Sequence, residues 1–287
     1  MTSLQARRRQ QAAQDIEEAR ALGVSVDLGG KNWANSTFTG LDLSEAILTR
    51  SNMYKANLAD VNLCKANLRD ADLREIVATN VNLTKANAIG ARLHDANLAG
   101  ANLAKADLRG VRGVRADFTD ADLTSVNMRG SWQRCVNLRE VNLTRADLTD
   151  ADLAHACLSR ADLTNAVVTN ANFAYTDLSG ANLPPSAFAN PTITDSQLLS
   201  AHLGPTSITP ERLPVLRAAV ATPDVTELKK HARAGVIGVR MAAAGNQACP
   251  EELLLKLVSD KRDEVRQAVL ANPNCSDEIR VMAALQE

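Results

Sequence analysis

The chain has 287 residues and carries 32 Lys and Arg against 33 Asp and Glu, a formal net charge of −1; it is 45% apolar but only 3% aromatic. That balance argues against a general nucleic-acid binder, which shows a basic excess. No run of eighteen apolar residues offers a membrane span, and the charged stretch 1–23 lacks the apolar centre of a secretory signal.

Residues 3–22 combine strong helix formers with no Gly or Pro, and Gly23 follows as a stop. Ala12, Ile16, Ala19 and Leu22 form a weak apolar stripe, so the expectation is a helix that caps or leads into the next element. Arg7, Arg8 and Arg9 read as a solvated face of that helix.

From Phe38 to Ile208 every fifth residue is large and apolar, with only Ala78, Ala88, Gly113 and Gln133 failing. The residue two before each is small, and Asp or Asn stands between them at 22 of the 29 positions from Asp42 to Asn182. In an α-helix a step of five rotates by about 140°, so these residues would wander round the cylinder. In a flat strand an odd period sends successive leucines to opposite faces. The chain must therefore turn once per five residues and present each apolar pair to one axis. Lys65, Lys85, Lys105 and Arg145 fall on a spacing of twenty, as do Gly113 and Gln133, so four such sides make one coil. Stacked at about 4.8 Å per coil, the rod reaches about 40 Å. Trp33 occupies a central position and is expected to plug the axis.

The units ANLAG (96–100), ANLAK (101–105) and ADLTD (146–150) resemble those of the pentapeptide-repeat family, and the resemblance covers roughly residues 26–190. It implies a mainly β protein, a right-handed quadrilateral β-helix. Open coil edges need covering, which fits an N-terminal capping helix over 1–25. Residues 191–212 read as an irregular last coil and linker. Over 213–287, LRAAVATPD, VRMAAAGNQ and VRQAVLANP recur, each followed by a second helical stretch begun at Asp224, Pro250 and Ser276. This resembles leucine-rich-repeat-variant and HEAT-like helical repeats.

No GxSxG, P-loop or GxGxxG is present. The five cysteines form no CxxC pair and the four histidines no HxxxH or HExxH, so no metal, cofactor or catalytic site is expected and the thiols read as reduced in a cytoplasmic protein. An enzyme would need a polar pocket at the junction near 185–215. The many Asp and Asn read as turn formers.

The sharpest signal is a break in the repeat. On the side holding 51–55, 71–75, 91–95, 111–115, 131–135 and 151–155, Arg92, Arg112 and Trp132 replace the Asp or Asn of three consecutive coils. Arg74, His94, Arg115 and Arg134 share that side. Arg112 beneath Trp132 suits a cation–π pair, and an exposed Trp among arginines reads as a partner-binding spot; the plainer reading is a local bulge covered by its own side chains.

The adjacent side carries Asp60, Asp117, Asp120, Glu140 and Asp177 against Arg139 and Arg160. The family resemblance implies an alternative here: some members mimic a DNA duplex, bind type II topoisomerases such as DNA gyrase and protect them from inhibitors. The expectation is a non-enzymatic protein–protein interaction scaffold, monomer or homodimer, whose partner is another protein rather than nucleic acid or membrane.

Overall fold

The computed structural model describes residues 3–22, 24–203 and 206–284. Helix α1 spans Ser3–Leu22. Its Ala12 and Ile16 are buried, and Asp15 pairs with Lys31 of the first coil at 3.1 Å. Leu22 departs from the expected stripe and is 70% exposed. The proposed stop at Gly23 lies outside the described residues, as do the side chains of Arg8 and Arg9.

From residue 26 to 183 the chain repeats a bridge and a turn every five residues. Parallel bridges join each residue to its counterpart twenty later, from Asp27–Ile47 to Asp162–Asn182, and Asn182 continues to His202. The result is a β-helix solenoid of four five-residue sides per coil, built on single bridges rather than long strands.

The backbone donors of residues 96–100 show why the sequence takes this form. Ala96 N–H closes the corner onto Leu93 O at 3.0 Å. Asn97 donates back one coil to Ile76 O at 2.9 Å, while Leu98 and Gly100 donate forward to Asp117 O and Thr119 O at 2.7 and 2.8 Å. Only Ala99 is left, and its N–H is taken by the Asn97 side chain at 3.1 Å. Buried or half-buried backbone donors favour pairing, which explains why Asp or Asn stands before most central residues. The corner residue adopts a left-handed conformation even where it is not glycine, as at Lys65 and Lys85 with φ of 59°. At Gly90 a Cβ would lie 2.6 Å from Asp70 Oδ1, so a larger residue there would have to displace the Asp70 carboxylate.

The axis is filled by Phe38, Leu43, Leu48, Met53 and their successors, nearly all fully buried. Trp33 is 4% exposed, donates Nε1 to Leu28 O and meets Phe38 edge-on at 5.6 Å, so it closes the first coil as its position implied. Ala78 and Ala88 leave a small void of about 10 Å³ among leucines. Its wholly apolar lining keeps it dry.

Beyond the last regular turn, a short 3-10 helix (Pro185–Ala189), α2 (Asp195–Ser200) and the two-residue pair β1 (His202–Leu203) and β2 (Thr206–Ser207) lead to six helices: α3 (Leu213–Ala221), α4 (Val225–His231), α5 (Ile237–Ala244), α6 (Glu251–Leu257), α7 (Asp263–Leu270) and α8 (Asp277–Ala284). The three sequence repeats make equivalent contacts. Arg217, Arg240 and Arg266 each donate to a carbonyl of the preceding segment, at Phe188, Ala234 and Asp260, and each pairs with an aspartate. Asn246 and Asn272 reach back to the end of the previous repeat, at Ala219 and Ala244. Asp224 caps α4 through Thr226 N–H and Pro250 precedes α6, as their positions implied; Ser276 Oγ is buried without a partner and caps nothing.

Candidate partner-binding face

The parallel bridges stack Asp72, Arg92, Arg112, Trp132 and Asp152 into one outward row. Arg74, His94 and Arg134 stand at the turn positions beside that row, and Arg115 at the corner beyond. The spacing of twenty therefore brings all seven predicted residues onto one side. Arg and Trp offer no acceptor oxygen, so Arg92, Arg112 and Trp132 cannot supply the turn bond that Asn97 gives Ala99. Three consecutive coils forgo it, each at about 0.5–1.5 kcal/mol.

The arginines do not stand alike. Arg74 grips Asp72 of its own coil with Nε at 2.7 Å and Nη2 at 2.6 Å, and lies 5.5 Å from the Tyr54 ring. Arg115 reaches back one coil to Asp95 at 2.7 and 2.8 Å. Arg134 approaches Asp152 at 3.7 Å. These three take Asp72, Asp95 and Asp152, and the remaining carboxylate of the side, Glu75, is taken by Lys55 and Tyr54. Hydrogen bonds from Arg74 and Arg115 hold Asp72 and Asp95 below the usual carboxylate range. Arg92 and Arg112 are left without a carboxylate. The Arg112 guanidinium sits 5.7 Å from the Trp132 ring centre, and Trp132 is 59% exposed. His94 is pushed below the ordinary histidine value, first by burial and then by Arg92.

Two features of this side escaped sequence reasoning. Gln133 is fully buried in the axis, and its amide oxygen and nitrogen have no partner; Ser131 Oγ beside it has none either. Gly113 is explained by it, since a Cβ there would overlap Gln133 Oε1. Two of the four failures of the apolar pattern, Gly113 and Gln133, are therefore one compensated pair. The other missed feature is the stack of His155 on Tyr175, 4.9 Å apart with ring planes at 12° and Tyr175 81% exposed. Their spacing of twenty was the available signal.

The acidic side is less continuous than its composition implied. Asn137 and Cys157 separate Asp117 from Asp177 along the row. Asp117 and Asp177 accept the turn N–H groups of Thr119 and Ser179. Asn80 Nδ2 donates to Asp60 at 3.3 Å, and Arg160 pairs with Glu140 at 3.2 Å. Asp120 is a corner residue with φ of 57°.

At the junction with the helices a cleft of about 430 Å³ is lined by Thr169, Asn170, Ser186, Asn246 and Gln247 with apolar neighbours, and no His, Cys, Asp or Glu is among its described lining residues. Cys249 and Cys275 are buried, which pushes the Cys249 thiol up to about 11 and raises Cys275. Among the described residues no group of His, Cys, Asp and Glu is arranged to hold a metal, and no helix is long and apolar enough to cross a membrane.

Residues 25–54, 56–95, 91–130, 134–165 and 146–183 match the family described as Pentapeptide repeats, in eight copies. The chain belongs to the pentapeptide-repeat family. No curated protein matches its sequence. Solved pentapeptide-repeat structures similar to it include HetL, involved in heterocyst differentiation regulation in the cyanobacterium Nostoc sp. strain PCC 7120, with 25% identity, 59% of this chain and 95% of HetL covered, and a TM-score of 0.22. Full-length QnrB1, a plasmid-mediated fluoroquinolone resistance protein, shares 19% identity over 67% of this chain and 90% of its own, with a TM-score of 0.20. Rfr23 from the cyanobacterium Cyanothece 51142 shares 19% identity over 54% and 97%, with a TM-score of 0.24. The family match ends at residue 183, short of the helical repeats. Nothing in it indicates a catalytic family.

Proposed function

We propose that this pentapeptide-repeat protein is a non-enzymatic scaffold for protein–protein recognition, with Arg74, Arg92, His94, Arg112, Arg115, Trp132 and Arg134 as its principal contact surface. The observation that carries the reading is the loss of the turn-forming Asp or Asn in three consecutive coils of one side only, with an exposed Trp132 among the replacements. Elsewhere from Asp42 to Asn182 the rule lapses only in single coils, at Ile47, Val77, Cys157 and Val167; a run of departures from local stability is a mark of function. In this reading α1 closes one end of the rod (residues 26–190). Residues 191–212 join it to a separate unit of leucine-rich-repeat-variant or HEAT-like helical repeats, residues 213–287, which offers a second contact surface. The unpaired cysteines support a cytoplasmic location.

The topoisomerase-binding DNA-mimic reading draws less support, because mimicry needs rows of carboxylates and those of the acidic side are interrupted and partly paired. A gyrase supercoiling assay is expected to show neither inhibition nor protection at micromolar protein. The scaffold reading is tested by affinity capture with the intact chain and with Trp132→Ala/Arg112→Ala, quantified by mass spectrometry. Specific partners are expected to be lost from the variant; an unchanged partner set removes this face from the function.

A further inference from the structure

The outward rows of the rod follow a rule of charge. Among the described bridges no aspartate stands opposite another: its neighbours are neutral, as in Asp107–Asn127–Asp147 and Asp122–Asn142–Asp162, or, for Asp72, the cationic Arg92. Ion pairs between neighbouring coils join opposite charges: Lys65 with Glu45, Lys55 with Glu75, Arg115 with Asp95, Arg160 with Glu140. Among the described bridges, Arg92–Arg112 is the one that sets like charges on adjacent coils. Like charges directly opposed on neighbouring strands destabilise, and the surrounding carboxylates are already taken, Asp72, Asp95 and Asp152 by Arg74, Arg115 and Arg134 and Glu75 by Lys55. Arg112 turns to the Trp132 ring instead.

Arg92 and Arg112 stand on neighbouring coils, with their strands about 4.8 Å apart, and a carboxylate has two acceptor oxygens with lone pairs enough to take a charge-assisted N–H bond from each of two arginines. The exposed Trp132 ring next in the row supplies an apolar platform. We propose that the Arg92–Arg112–Trp132 row binds an acidic peptide segment of a protein partner, with a carboxylate gripped by the two arginines and an adjoining apolar side chain laid on Trp132. The proposal rests on the scaffold reading and gives its main face a ligand chemistry. A nucleic-acid strand suits the row less well, since Asp72 and Asp152 bound it at both ends and the neighbouring side carries Asp60, Asp120 and Glu140.

The test uses the full chain and a blocked, fluorescein-labelled octapeptide of alternating Glu and Leu, followed by anisotropy. Trp132 emission is a second readout, because the other tryptophan, Trp33, is buried. Saturable binding is expected, weakened about tenfold or more by Arg92→Ala/Arg112→Ala and by Trp132→Ala. Lys85→Ala/Lys105→Ala, which removes two stacked lysines from another corner, is expected to leave binding within about twofold. Absence of saturable binding, or equal loss in the lysine variant, overturns the proposal. So does tighter binding of a single-stranded oligodeoxynucleotide of matched charge. If the peptide fails while affinity capture still loses partners with Trp132→Ala/Arg112→Ala, only this inference falls and the scaffold reading stands.

Discussion

Two sides of the same rod teach opposite lessons. On the side from Asp42 to Asn182 the row reads Asp42, Asn62, Asn82, Asn102, Asp122, Asn142, Asp162 and Asn182, and nearly every member accepts its turn N–H, as Asn102 does from Ala104 and Asp122 from Thr124. Asn62 and Asn82 also donate back along the row at 2.9 and 3.0 Å. The central residues beneath are leucines throughout. Two sides away, the same backbone carries Arg92, Arg112 and Trp132 outside and Gly113 and Gln133 inside. One side is optimised for the fold, and the other holds the fold while departing from its rules.

The largest effect expected from disturbing this contrast lies in the regular core. Leu103 is fully buried, and Leu103→Ala should cost about 2–5 kcal/mol by leaving a cavity in a thin axis, read as a lowered urea midpoint. On the irregular side the sign should reverse. Gln133→Leu removes two unpaired buried amide atoms and should stabilise by about 1–3 kcal/mol. Gly113→Leu alone should destabilise, since Gln133 fills its space. The double variant should exceed either single one, with a coupling of about 0.5–3 kcal/mol in a double-mutant cycle. Additive effects would show that the two residues are not one packing unit.

Smaller and opposite shifts are expected on the outward rows. Asn102→Ala should lose about 1 kcal/mol with the bond to Ala104, whereas Arg92→Asn should gain about as much by restoring a turn acceptor and removing a like-charge contact. The same Arg92→Asn variant should bind partners less well. A variant that loses stability instead would mean that the arginine row serves the fold.

The smallest effect is one of pH. His94 has a folded value below the ordinary 6.5, so its contribution is present above that value and fades as pH falls through the folded one. Thermal midpoints measured from about pH 7.5 to 5 should decline less steeply for His94→Asn than for the parent chain. Asp72, also lowered, acts further down, its contribution lost as pH falls below the ordinary carboxylate range.

The period of five residues, by itself, determined the coil of twenty, the inward residues and the side on which Arg74, Arg92, His94, Arg112, Arg115, Trp132 and Arg134 assemble. Those assignments need only the rule that a backbone turning at fixed intervals repeats its environment. Tertiary structure alone decided which arginines remain open. Arg74, Arg115 and Arg134 find carboxylates by side-chain reach, within a coil or across one, and composition cannot say which pairs form. It also decided that Gln133 would lie unpartnered in the hollow of Gly113, and that Arg217 would fasten α3 to the end of the rod through Phe188 and Asp195. Periodicity fixes directions, whereas contacts between flexible side chains depend on angstrom distances that appear only once the coils are stacked.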